Sequence, residues 1–319
     1  PAVRRRRLRL RSLTMPPRTD RRSVLFALSA LPFAGAGLIA CTRAEMAAQT
    51  PDAAPEPLDL SALEVRPGDR LGFAVHDLAS GRRLAWRGEE RFVYCSTFKM
   101  YLAAATLLRV QAGEERLDRA IAITRADMIS HAPTTQPAVG STLTVEQLMK
   151  GTVELSDNPA ANILIREMGG IERFRAFYRG LGDNSTTVDR LEPEMNRLDG
   201  DKDTIQPLQS AANIRRLLVD GDTPLNADSK ARLMRWLIDT PTGADRIKAG
   251  APDGWTVAHK TGTGGYGPVN DIGLIQAPGR PPIVVAAYFH GAPGGSDAAG
   301  EAAIAEATRR ALAALGTPA

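Results

Sequence analysis

Apolar positions along this chain change their period twice. Gly72-Phe73-Ala74-Val75-His76-Asp77-Leu78 and Arg82 to Arg87 read as two strands about the Ala79-Ser80-Gly81 turn. From Ser96 to Gln111 the spacing becomes helical, with Phe98, Tyr101, Leu102, Leu107, Leu108 and Val110 on the apolar side and Gly113 as the stop. Helical patterns then dominate to about residue 240. Thr144-Val145-Glu146-Gln147 is a helix start with Thr144 as N-cap, and Asn158 to Met168 is a helix ended by Gly169-Gly170. Pro207 to Val219 and Asp228 to Ile238 are two more. Beyond Asp239 the strands return: Trp255 to Lys260, Asp271 to Gln276 and Ile283 to His290, separated by Gly/Pro clusters. Ser296-Asp297 opens a final helix that reaches about Leu315.

This order predicts an α/β fold of the α+β type. The early hairpin and the late strands form one antiparallel sheet flanked by terminal helices (58–94 and 239–319), and 95–238 form a separate, all-helical lobe.

Composition changes the picture mainly at the N-terminus. The 319 residues carry a net charge of +4, which by itself suggests an acidic partner. Residues 1–40, however, hold nine Arg and one Asp, a net of +8, so the remainder carries +4 − 8 = −4. That segment reads as an export signal to be removed, and nucleic acid is dropped as a partner. Arg21-Arg22 precedes the apolar run Val24 to Ala40, which ends in Leu38-Ile39-Ala40-Cys41. The paired arginines resemble a twin-arginine signal, and Leu-Ile-Ala-Cys resembles a bacterial lipoprotein box with Cys41 as the lipidated residue. Met15 is the expected start, with residues 1–14 an upstream extension. Residues 41–57, rich in Ala and Pro, read as a flexible tether. The other cysteine, Cys95, is either a small buried filler or a nucleophile, and nothing acidic or basic flanks it closely.

Four motifs carry chemistry. Ser96-Thr97-Phe98-Lys99 places a hydroxyl and an amine on one helical face, with Ser96 at the helix start where free N–H groups stabilise developing negative charge. A serine hydroxyl needs a base to take its proton, and Lys99 serves if burial lowers its pKa. Ser156-Asp157-Asn158 reads by itself as a helix cap. Beside Ser96 and Lys99, Ser156 becomes a proton relay to a leaving nitrogen, and Asn158 holds a substrate carbonyl and Lys99. Glu192-Pro193-Glu194-Met195-Asn196 is a solvated charged loop on the bland reading. On the sharper one, Glu192 and Asn196 hold a water that cleaves an acyl-serine ester, with Arg190 pinning the loop to Asp203. Lys260-Thr261-Gly262-Thr263 follows a strand: Thr263 N–H and Ser96 N–H would form an oxyanion hole, and Lys260, Thr261 and Arg246 would bind a carboxylate.

From about Leu58 to Leu315, these motifs in this order resemble a class A serine β-lactamase. The resemblance implies Ser96 as the acylated residue, Ser156 as proton shuttle and Glu192 as deacylation base, and leaves Lys99 and Glu192 as alternative acylation bases. It places His131 at the rim of the cleft, and Val269 where many members carry a carboxylate-binding Arg. Arg246 and Thr263 are similar to a carbapenem-hydrolysing subgroup, whose disulfide partner position is Gly264 here, so that bridge cannot form. The stretch from Asn196 to Asp203 looks shorter than usual. The rival readings are a penicillin-binding D-Ala-D-Ala peptidase and a β-lactam sensor that is acylated without turnover. The expected partner is a small β-lactam. A monomer is expected, with no cofactor or metal, and with membrane contact only through Cys41. The histidines His76, His131, His259 and His290 fall into no metal-binding spacing.

Overall fold

Ile283 to Phe289 is apolar at every position, a pattern that suits a strand covered on both faces. In the computed structural model, which describes residues 54–317, it is an inner strand of a six-stranded sheet. The strands in chain order are β1 (Glu56–Pro57), β2 (Arg70–Asp77), β3 (Arg83–Trp86), β4 (Phe92–Val93), β5 (Ala120–Ala122), β6 (Thr142–Thr144), β7 (Thr204–Ile205), β8 (Thr256–Thr263), β9 (Pro268–Gln276) and β10 (Ile283–His290). The main sheet runs β1-β3-β2-β10-β9-β8, while β4 pairs with β7 and β5 with β6. The helices are α1 (Phe98–Gln111), α2 (Val145–Glu154), α3 (Asn158–Met168), α4 (Ile171–Gly180), α5 (Pro207–Leu218), α6 (Ala227–Asp239), α7 (Ile247–Gly250) and α8 (Asp297–Ala314).

Alternation along β10 sorts the core into two layers. Ile283, Val285, Ala287 and Phe289 face α8, where Ala303, Ile304, Ala307 and Ala311 meet them. Val284, Ala286 and Tyr288 face the helical side and join the cluster built on α1 to α6. Helix α1 is buried from Phe98 through Leu107, so it runs through the interior with no solvent face over that stretch. The local signals explain its neighbours. Thr144 caps α2 by accepting from Gln147 N, and Gln147 Oε1 accepts from Thr144 N in return. Asp157 caps α3, and Gly169, at φ +105°, ends it.

Three expectations need correction. The end of the stretch read as tether is ordered: Glu56–Pro57 is an edge strand, and its pairing with β3 is parallel, so the sheet is not purely antiparallel. The region 95–238 is not all-helical, since β5 and β6 form a hairpin within it and β7 pairs with β4. Among the described residues, the element before β2 is a three-residue 3-10 turn, Ser61–Leu63, and only α8 flanks the sheet as a terminal helix. All described residues fall in one compact unit, Pro51–Ala319, with the helical layer packed directly on the sheet. Residues 1–53, including Arg21-Arg22 and Cys41, lie outside the described residues.

Candidate active site

Ser96 sits in a 3-10 turn, Cys95–Thr97, that feeds α1, so Lys99 follows it on the first turn of the helix. Lys99 is fully buried. Its Nζ lies 2.9 Å from Ser96 Oγ, 2.5 Å from Asn158 Oδ1, 2.8 Å from the Ser156 carbonyl and 3.4 Å from Ser156 Oγ. The Ser-Asp-Asn motif reaches the amine because Asp157 fastens it on both sides. Its carboxylate accepts from Ala160 N in α3 and from the Thr134 and Thr135 N–H groups of the facing loop. Cys95, His131 and Ser156 all take positive φ (46°, 60° and 58°) without being glycine. Such backbone strain persists only where the surroundings enforce it, and here all three residues flank one cleft.

Glu192 closes the floor. Its Oε1 lies 3.1 Å from Lys99 Nζ and 3.5 Å from Ser96 Oγ, and its Oε2 accepts from Asn196 Nδ2 at 2.5 Å. Asn196 Oδ1 is buried with no partner among the described protein atoms, an acceptor left for a donor from solvent or substrate. The loop is held from outside. Arg190 Nε donates to Asp203 Oδ2 at 2.6 Å, and Asp203 Oδ1 accepts from the Asp189 and Arg190 N–H groups. Short as it looked, the loop is closed.

The opposite wall is β8, the edge strand at the other end of the sheet from β1. Lys260 Nζ, fully buried, lies 3.2 Å from Ser156 Oγ, so that hydroxyl bridges two amines. Thr261 Oγ1 meets Thr242 Oγ1 at 2.9 Å. At Gly262 a Cβ would fall 2.9 Å from Tyr94 O and 3.1 Å from Ser96 N, so only glycine lets this strand approach the Ser96 turn so closely. Arg246 lies buried behind Thr263. It donates to the Gly262 and Asn270 carbonyls, to Thr263 Oγ1 at 2.8 Å and to Glu301 Oε1. The resulting cavity, about 310 Å³, is lined by Ser96, His131, Ser156, Asn158, Asn196, Arg246 and Thr261 to Thr263. Lys99, Glu192 and Lys260 lie beside it as buried ionisable side chains.

With this geometry in view, likeness to known proteins decides the family. Residues 59–315 match the model of the "Beta-lactamase enzyme family". The chain belongs to that family. It is 39% identical to Beta-lactamase CTX-M-8 of Citrobacter amalonaticus over 72% of this chain and 79% of that one. It is 41% identical to Beta-lactamase ROB-1 of Haemophilus influenzae over 71% and 74%. Among solved structures, an ancestral class A β-lactamase superposes with a TM-score of 0.76 at 47% identity, covering 80% of this chain and 98% of that one. A class A β-lactamase from Mycobacterium abscessus gives 0.77 at 41%, covering 81% and 98%.

For a β-lactamase family member, the charges in this cleft are informative. Burial pushes the Lys99 amine below the ordinary lysine range, with Glu192 pulling the other way. Lys260 is pushed well below it, first by burial and then by Lys99, with Asp271 opposing. Cys95, the second candidate nucleophile, is buried and free, and burial raises its thiol pKa, so it acts as filler. Val269, at the place of the absent Arg, is buried in the sheet core.

Sequence reasoning missed two supporting residues. Asn162 clamps Glu192 by its backbone, accepting from Glu192 N at 3.0 Å and donating to Glu192 O at 2.9 Å. Its place four residues after Asn158, on the same face of α3, was the available signal. Thr242 orients Thr261 and left no local signal, because the two are joined only by the fold.

Proposed function

We propose that the protein hydrolyses the β-lactam amide through an acyl-serine intermediate, and so confers β-lactam resistance. Ser96 Oγ attacks the ring carbonyl. Lys99 and Glu192, both within 3.5 Å of Ser96 Oγ, are alternative acceptors of its proton. Ser156 Oγ, between Lys99 and Lys260, passes a proton to the departing ring nitrogen. The Ser96 and Thr263 N–H groups stabilise the oxyanion, while Lys260 and Thr261 bind the substrate carboxylate; Arg246, expected from the sequence to bind it too, has its donors taken by two carbonyls, Thr263 and Glu301 and adds positive charge from behind Thr263. Asn158 holds the side-chain amide of the substrate, and His131 borders it at the rim. Glu192 then removes a proton from a water shared with Asn196, and that water cleaves the ester.

The observation that carries this reading is the Glu192–Asn196 pair beside Ser96. A peptidase or a sensor needs the nucleophile and the amines, but only a fast hydrolase needs a carboxylate trained on the acyl ester. Steady-state turnover of nitrocefin or benzylpenicillin tests it. Repeated turnover is expected, and a single stoichiometric burst with a stable adduct would refute it. Glu192→Gln is expected to slow deacylation by about 10²-fold or more, so that mass spectrometry finds a penicilloyl group on Ser96. Unchanged turnover would remove Glu192 from its role.

The same reading extends to location. The protein is exported to the periplasm and tethered by a lipid on Cys41, and it works as a monomer. The Arg21-Arg22 pair, the apolar run and the Leu-Ile-Ala-Cys box support the export and the tether. Diacylglycerol on Cys41 in the membrane fraction is the expected finding, and a soluble mature form lacking it would refute the tether.

A further inference from the structure

A second cavity of about 550 Å³ shares no lining residue with the catalytic cleft and is bordered by Tyr266 of the β8–β9 turn. Three basic side chains line it, Arg70, Arg197 and His290, together with Tyr266, Leu198 and Pro293, and no carboxylate does. The basic groups are not equally satisfied. Arg70 pairs with Glu90 at 2.7 Å and lies over the Phe92 ring. Arg197 has no carboxylate within ion-pair distance among the described residues. Its guanidinium lies 5.7 Å from the centre of the Tyr266 ring. His290 is half-buried and its ring makes no hydrogen bond among the described residues. Tyr266 (63% exposed) and Leu198 (56% exposed) leave apolar surface open beside these donors.

We infer that this cavity binds an organic anion with a flat apolar body, such as an aromatic carboxylate. Arg197 supplies a planar fork of donors for the carboxylate, Arg70 adds positive charge, and His290, whose pKa is lowered by burial and by Arg70, adds a ring N–H donor. Tyr266 and Leu198 cover the ring. The close backbone contact at the base, where Gly291 N donates to Gly267 O at 2.9 Å, joins the floor to the β8–β9 turn. Apolar walls with a few convergent polar groups are the usual make-up of a small-molecule site.

Binding can be read without turnover, so the test does not depend on the acyl-serine reading. 2-Naphthoate is titrated into the full folded protein while backbone amide resonances are followed. Saturable shifts are expected at Leu198, Gly267 and Gly291, with a dissociation constant below about 1 mM. Arg197→Gln, at an exposed position, should keep the wild-type melting temperature and weaken binding by about tenfold. The neutral analogue 2-naphthylmethanol should bind at least as weakly as naphthoate does to that variant. The inference is overturned if no saturable shift appears, or if the shifts centre on His131, Thr242 and Gly243 in the catalytic cleft. It is also overturned if Arg197→Gln or the neutral analogue binds as tightly as the wild-type pair.

Discussion

Lys99 and Lys260 are both fully buried, but among the described residues only Lys99 has a carboxylate within ion-pair distance. Among the described residues, Lys260 Nζ hydrogen-bonds only the Ser156 hydroxyl and a backbone carbonyl. Protonating it therefore works against burial and against the nearby Lys99 and Arg246. A lysine whose folded pKa lies below its unfolded value binds fewer protons folded than unfolded in the window between the two. Stability therefore rises with pH across that window and is lowest beneath it. Lys260→Met removes the buried amine and keeps most of the volume. At pH 6 its melting temperature is expected to equal or exceed that of the parent, by up to about 2 kcal/mol in stability, and the pH slope should flatten. The KM for benzylpenicillin should rise steeply, because the carboxylate loses its cation. Lys99→Met should behave in the opposite way in stability. It strands Glu192 beside an apolar group and should cost about 3 kcal/mol. Urea unfolding of both variants at pH 6 and pH 9 checks the contrast, and a destabilised Lys260→Met would contradict it.

At the scale of elements, the loop from Asp189 to Asp203 shows how a segment without regular structure holds a catalytic geometry. Asp203 is fully buried and gathers two N–H groups, the Arg190 guanidinium and the Tyr94 hydroxyl. Asp203→Ala leaves those donors without their acceptor and should destabilise the fold by about 2–4 kcal/mol. Deacylation should fall more than acylation, because Glu192 rides on this loop while Ser96 sits in the turn that feeds α1 and Lys99 on α1 itself. Pre-steady-state burst kinetics on benzylpenicillin separate the two rates. Equal losses in both would mean that the loop does not position Glu192 alone. This pairing was legible in the sequence because Arg190 and Asp203 flank the motif closely. Helix α3 was also legible, since its cap and its glycine stop are local. Strands β1, β5 and β6, of two or three residues each, were not, because they are too short to show a period of two. Nor were the left-handed conformations of Cys95, His131 and Ser156. Those residues carry no glycine signal, and tertiary contacts impose the geometry.

The site as a whole is assembled across a layer boundary. Ser96, Lys99, Ser156, Asn158 and Glu192 come from the helical side, and Lys260 to Thr263 and Arg246 from the sheet side. A sequence read as two domains gave each half its motifs but not the way they share one core. Sheet residues Ala74, Ala258, Ile272 and Tyr288 lie in the same apolar cluster as α1 to α6. Tyr288 makes the join polar as well, donating to Ser210 Oγ of α5 at 2.8 Å. Cohesion of this kind predicts that the helices cannot melt while the sheet persists. The tryptophans provide reporters on both sides, with Trp236 in the helical cluster and Trp86 and Trp255 against the α8 layer. In Trp236→Phe the remaining fluorescence reports on the sheet and α8 side, while far-UV circular dichroism is dominated by the helices. The two signals and nitrocefin turnover are expected to be lost with one midpoint in urea, within error. A helical signal that disappears at clearly lower urea than the fluorescence would show that the lobe unfolds independently. The catalytic cleft would then depend on an interface between two bodies, and Lys260 should lose its contact with Ser156 before the sheet itself unfolds.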